Sequence, residues 1–190
     1  GYSDIVLRSK APSFVHSALS SGFWVGVVLI LMASLGSCGG STPGADERET
    51  GVAISPNDDR AYALVELANG LEVMLVSDPT VEKSAAALSV GLGAAADPDE
   101  YPGMAHYLEH MLFMGSAQYP DPDGFMAFTA EHGGMSNAYT GLDITNYMMT
   151  VENDAFPEGL DRFSSFFTDP LLDPTYIDKE KNAVNAEWSM

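Results

Sequence analysis

Residues 103–120 read GMAHYLEHMLFMGSAQYP. Apolar residues fall on more than one face from Met104 to Met114, the mark of a buried helix, and Gly115 follows as a stop. Within it, His106 and His110 stand four residues apart. At 100° per residue they lie within about 40° of each other, one turn apart on one face. Two imidazoles so placed can share a zinc ion. Glu109, three residues after His106, flanks the same face, where its carboxylate can take a proton from a water held by the metal. The order H-x-x-E-H is the inverted form of the zinc-peptidase motif. Burying two imidazoles and a carboxylate among Met104, Ala105, Met111, Leu112 and Phe113 is costly without partners, and a metal removes that cost.

A catalytic zinc usually takes three protein ligands and keeps one open position. The chain has four histidines. His16 lies far upstream in an apolar leader, and His132 precedes Gly133-Gly134, where it can simply cap a helix. Carboxylates are too numerous for composition to choose among them.

Outward from the motif, the elements come in blocks. Residues 62–67 and 71–76 are short β-leaning runs joined by Ala68-Asn69-Gly70, a hairpin signal. Residues 85–92 form a third strand candidate, and 94–103 a loop containing Pro98 and Pro102. A helix over 124–131 ends at the Gly-Gly pair, and strands follow at 135–140 and 145–151. Residues 153–167 form an amphipathic helix, with Phe156, Leu160, Phe163 and Phe167 spaced for one face; Phe166 is also assigned to packing. A last helix runs from about residue 174. Blocks rather than strict alternation predict an α+β class: a mixed, mainly antiparallel sheet with helices on one face.

The formal charge is -19, and nearly all of it lies beyond Cys38, where 6 basic residues face 26 acidic ones. Such a surface repels nucleic acid and excludes it as a partner. A hydrophobic content of 46% supports a packed core. With one cysteine, neither an intrachain disulfide nor a thiolate zinc cluster is possible.

That cysteine has another reading. Residues 23–35, FWVGVVLILMASL, are 13 uncharged residues, short for a span of roughly 20 but suited to a secretory signal, with Arg8 and Lys10 as its basic region. Small residues lead directly to Cys38, and the whole resembles a bacterial lipoprotein cleavage box. The expectation is a signal over 1–38, lipid on Cys38, a flexible tether over 39–59, and a folded domain over 60–190, against the alternatives of an ordinary signal peptide with an incidental cysteine and of an uncleaved anchor helix. The protein would then be exported, periplasmic and lipid-anchored to a membrane. The pattern at residue 190 is still helical without a C-cap, so a longer protein with further domains is expected.

Four blocks carry a family resemblance: residues 103–120; EHGGMSNAYTGLDITNY at 131–147; FPEGLDRFSSFFTDPLLD at 156–173; and EKNAVNAEWSM at 180–190. In order and separation they resemble the pitrilysin and insulin-degrading enzyme family of zinc peptidases. The resemblance implies the pitrilysin-like metallohydrolase fold, one Zn2+, and hydrolysis of peptides or small unfolded proteins. It implies Glu187 as third zinc ligand beside His106 and His110, Glu109 as catalytic base, and Glu180 as an acidic support of the metal site. Asn137 and Ala138 are implied to pair along the substrate backbone, an arrangement that holds a peptide extended. A non-catalytic partner subunit and a structural zinc lipoprotein are the competing readings.

Overall fold

The computed structural model describes residues 4–9 and 54–189. Cys38, His16, the apolar run and most of the tether lie outside them. Among the described residues, no helix is long and apolar enough to cross a membrane.

Six strands form one mixed sheet in the order β2-β3-β1-β4-β6-β5. The strands are β1 (Asp4–Ser9), β2 (Ala61–Glu66), β3 (Glu72–Ser77), β4 (Lys83–Val90), β5 (Met135–Thr140) and β6 (Thr145–Glu152). All pairings are antiparallel except β1 with β4. The α-helices are α1 (Met104–Leu112), α2 (Gly124–Glu131), α3 (Phe156–Thr168) and α4 (Ile177–Trp188), with 3-10 turns at Ala94–Ala96 and Pro174–Tyr176. This is the α+β class with helices against a largely antiparallel sheet.

Asn69-Gly70 turns β2 into β3, with Gly70 at φ 82° and its N–H on the Leu67 carbonyl. The alternation of β4 and β6 places Ala86 opposite Met149 and Leu88 opposite Tyr147, all buried. Helices α1, α2 and α3 cover that face with Leu112, Phe113, Phe125, Phe128, Phe163 and Phe166. Phe166 is the hub of an aromatic cluster, edge-on to Phe113 at 5.1 Å and to Phe125 at 4.7 Å between ring centres. Edge-to-face pairs favour such clusters beyond the area they bury. The phenylalanines of α3 assigned to packing thus lie in the core, with Phe167 half-buried against it.

Three details differ from the sequence expectations. Helix α3 starts at Phe156, because the Asn153 side chain is used elsewhere: its Oδ1 accepts from Ser84 Oγ at 2.8 Å and its Nδ2 donates to the Val81 carbonyl at 2.8 Å. Those bonds tie the turn to β4, and Pro157 then opens the helix. Strand β4 begins two residues early and ends at Val90, ahead of Gly93, which packs on the backbone of Gly141 and Ile144. Finally, residues 4–9, expected within an export signal, pair with both β3 and β4, so the sheet draws on chain upstream of residue 60. The run Ile5-Val6-Leu7 has the composition of a strand held between two others.

Candidate active site

Helix α1 begins at Gly103, whose φ of 88° is left-handed and whose lack of a side chain leaves the helix start without a local cap. Asp97 does that work from the preceding loop. Its Oδ2 accepts from Gly103 N at 2.7 Å and its Oδ1 from Ala105 N at 2.8 Å. A carboxylate at this position satisfies orphan donors and complements the helix dipole. The helix is thereby fixed at its first turn, immediately before His106.

His106 and His110 project from one face of α1, ring centres 4.9 Å apart. Helix α4 packs across them and brings Glu187. Its Oε2 lies 3.2 Å from His106 Nε2 and 3.7 Å from His110 Nε2. Donor atoms of the three residues all lie within 4.8 Å of one another. Tetrahedral zinc with bonds of about 2.0–2.1 Å separates neighbouring ligand atoms by about 3.3 Å, so this donor set fits the ion. The Glu187 side chain is 46% exposed and those of His106 and His110 are 26% and 19%, so the cluster opens to solvent on the Glu187 side.

Glu180, two turns before Glu187 on α4, is buried, and its Oε2 is 3.1 Å from His110 Nδ1. A donor at Nδ1 leaves the Nε2 lone pair aimed at the cluster, the arrangement found behind metal-ligating histidines. Lys179 Nζ lies 3.4 Å from the other Glu180 oxygen.

Glu109 is buried at 7% exposure on the side of α1 that meets β5. Thr140 Oγ1 donates to its Oε2 at 2.6 Å. Burial raises the pKa of the nearby Tyr147 hydroxyl, and the Glu109 charge raises it further. Asn137 is exposed on β5, and Ala138 is half-buried against the core. Among the described residues β5 pairs only with β6, leaving its other side as a sheet edge. His132 stands apart from the cluster at the C-cap of α2, its ring 4.6 Å from that of Phe128.

Sequence reasoning missed Asp97 and Thr140. The spacing from Asp97 to the helix start matches no local capping pattern. For Thr140 the signal is partial: the alternation of Ser136, Ala138 and Thr140 puts it on the half-buried side of β5, but the same pattern holds for Ser136, whose buried Oγ has no hydrogen-bond partner among the described residues.

Residues 72–190 match the family described as insulinase, peptidase family M16. The chain is 46% identical over 147 residues to the insulin-degrading enzyme of Mus musculus, covering 77% of this chain and 14% of that one. It is 41% identical over 167 residues to Protease 3 of Escherichia coli strain K12, covering 88% and 17% respectively. The crystal structure of pitrilysin superposes with a TM-score of 0.71 at 46% identity, over 75% of this chain and 15% of that one. The chain therefore spans well under a quarter of the length of these relatives. With a family match across most of its length, on a fold that brings His106, His110 and Glu187 together, the chain belongs to the insulinase family, peptidase family M16.

Proposed function

We propose that this chain carries the zinc centre of an endopeptidase that cleaves peptides or small unfolded proteins. The convergence of His106, His110 and Glu187 donor atoms within 4.8 Å carries the reading. Three protein ligands with a solvent-open side suit a catalytic site, whereas a structural zinc normally takes four. When bound, zinc supplies Lewis acidity, acidifying a coordinated water toward neutral pH and polarising a carbonyl oxygen.

The chain's own residues have separate tasks. Glu109 takes a proton from the attacking water and hands it to the leaving amine. Glu180 holds the tautomer and orientation of His110 through the 3.1 Å contact at Nδ1. The edge of β5 at Asn137 and Ala138 receives the substrate as an added strand, whose main-chain hydrogen bonds hold a peptide extended while leaving side-chain choice loose. The other M16 chains compared are several times longer, and we assign further substrate contacts to regions beyond the residues described.

Export with lipid on Cys38 belongs to the same proposal on sequence grounds, and it carries a structural cost: processing there removes β1, through which β3 and β4 are joined in the sheet. Mass spectrometry of the mature N-terminus tests it. A lipidated Cys38 supports it, and an unprocessed N-terminus that retains residues 4–9 overturns it.

The deciding experiment for the chemistry is Glu109→Gln in the full-length protein. The amide keeps the shape and removes the base. Zinc content should stay unchanged while peptide cleavage falls by about 10²–10⁴-fold. Retained cleavage refutes the assignment, and absence of cleavage in the zinc-loaded wild type favours a non-catalytic subunit.

A further inference from the structure

We propose that Thr140 is a positioning residue for Glu109: it locks one carboxylate oxygen and so dedicates the other to proton transfer. The inference rests on Glu109 being the base.

Thr140 closes β5 and faces Thr145, the first residue of β6, across the strand pair. Its single hydroxyl proton has two acceptors in reach, Glu109 Oε2 at 2.6 Å and Thr145 Oγ1 at 3.5 Å. Thr145 is buried, and its own proton goes to the Leu92 carbonyl at 2.9 Å. It therefore has none to give to Thr140. The proton of Thr140 goes to the nearer, charged acceptor, where hydrogen bonds are shorter and stronger. The Thr140 side chain is stiff at χ1, and the β5–β6 connection is closed by Gly141 N on the Ile144 carbonyl at 2.7 Å. The donor is therefore fixed from two strands rather than carried on a mobile side chain.

A glutamate at the end of a flexible side chain otherwise presents either oxygen. With Oε2 accepting from Thr140, Oε1 is the oxygen that takes the proton. One water O–H bond breaks as Oε1–H forms. That bond then breaks as the N–H of the leaving amine forms, and the carboxylate is restored with Thr140 unchanged. Orientation of this kind acts on the transition state rather than on substrate affinity.

The test uses the full-length, zinc-loaded protein with a fluorogenic peptide, comparing Thr140→Val, Thr140→Ser and Glu109→Gln. Valine keeps the shape and removes the donor. Its kcat should fall about 10- to 100-fold, the range for a lost hydrogen bond to a charged group, with KM and zinc content unchanged. Serine should restore most of the rate. Should Thr140→Val fail to fold, Thr140→Ala carries the same expectation. A crystal structure of the donor-less variant should show the Glu109 carboxylate in more than one orientation. Wild-type kcat without the hydroxyl overturns the proposal, as does zinc loss or a KM rise that tracks the fall in rate, or a serine variant as slow as valine. If Glu109→Gln stays active, the base assignment falls and the role of Thr140 with it. If Glu109→Gln is inactive and Thr140→Val is normal, only the positioning role falls.

Discussion

Replacing Asp97 by alanine removes the cap of the helix that carries His106 and His110 without touching any residue of the cluster. The carboxylate receives two backbone N–H groups, from Gly103 at 2.7 Å and Ala105 at 2.8 Å. Gly103 has no side chain to take over. A lost N-cap costs about 0.5–2 kcal/mol, and loss of the negative charge at the helix start adds about 0.3–1 kcal/mol. Two donors rather than one are orphaned, which places Asp97→Ala at about 2–3 kcal/mol. For a chain of this size that is a fall in Tm of about 5–10 °C. Asp97→Asn keeps an acceptor and loses the charge, so roughly half the fall is expected. Far-UV circular dichroism during heating, at fixed zinc concentration, reads both variants. The helix positions His106 and His110, so zinc affinity should weaken in the same order. A Tm for Asp97→Ala within about 1 °C of wild type refutes the capping argument, since a loss that small is below any N-cap cost for a chain of this length.

Two other changes follow from the geometry. Glu180→Ala removes the partner of His110 Nδ1 and should weaken zinc binding about 10- to 100-fold in chelator competition, and an unchanged Kd would remove Glu180 from the site. Gly134→Ala would drive a Cβ into the Thr150 carbonyl, where backbone has nowhere to yield without parting β5 from β6. A loss of at least about 2 kcal/mol in urea unfolding is expected, and wild-type stability would show that the strand start can shift.

Local pattern explains what was legible. The positions of α1, α2 and the β2–β3 hairpin follow from spacing, a Gly-Gly stop and Asn69-Gly70, each set by residues a few positions apart. The pairing of His106 with His110 is likewise a property of one helix. Glu187 is different: it lies 77 residues beyond His110, and only family resemblance singled it out among the many carboxylates. Asp97 and Thr140 reach their partners across a loop and across a strand-to-helix contact, respectively. Strand alternation puts Thr140 on the half-buried face of β5 but does not name its partner, and no pattern marks Asp97. The start of α3 was misread because helical amphipathicity does not reveal that Asn153 is bonded to β4. Strand β1 was unreadable for a related reason, because its pairing partners begin more than sixty residues downstream.

The exposed side of β5 carries a liability beside the use proposed for it. Met135 and Tyr139 are 59% and 50% exposed beside Asn137, so the strand presents backbone and apolar side chains together. Any extended segment can read such an edge, including the same strand of another molecule, and edge pairing of that kind is a route to aggregation. The strand is only six residues long, and glycine flanks it at Gly134 and Gly141. The larger defence is electrostatic: a formal charge of -19 keeps copies apart. Salt shortens the reach of that repulsion to about 10 Å at 0.1 M and about 3 Å at 1 M. Colloidal stability is thus tied to ionic strength through the edge itself, and high-salt purification removes the restraint that keeps this strand from pairing with its copies.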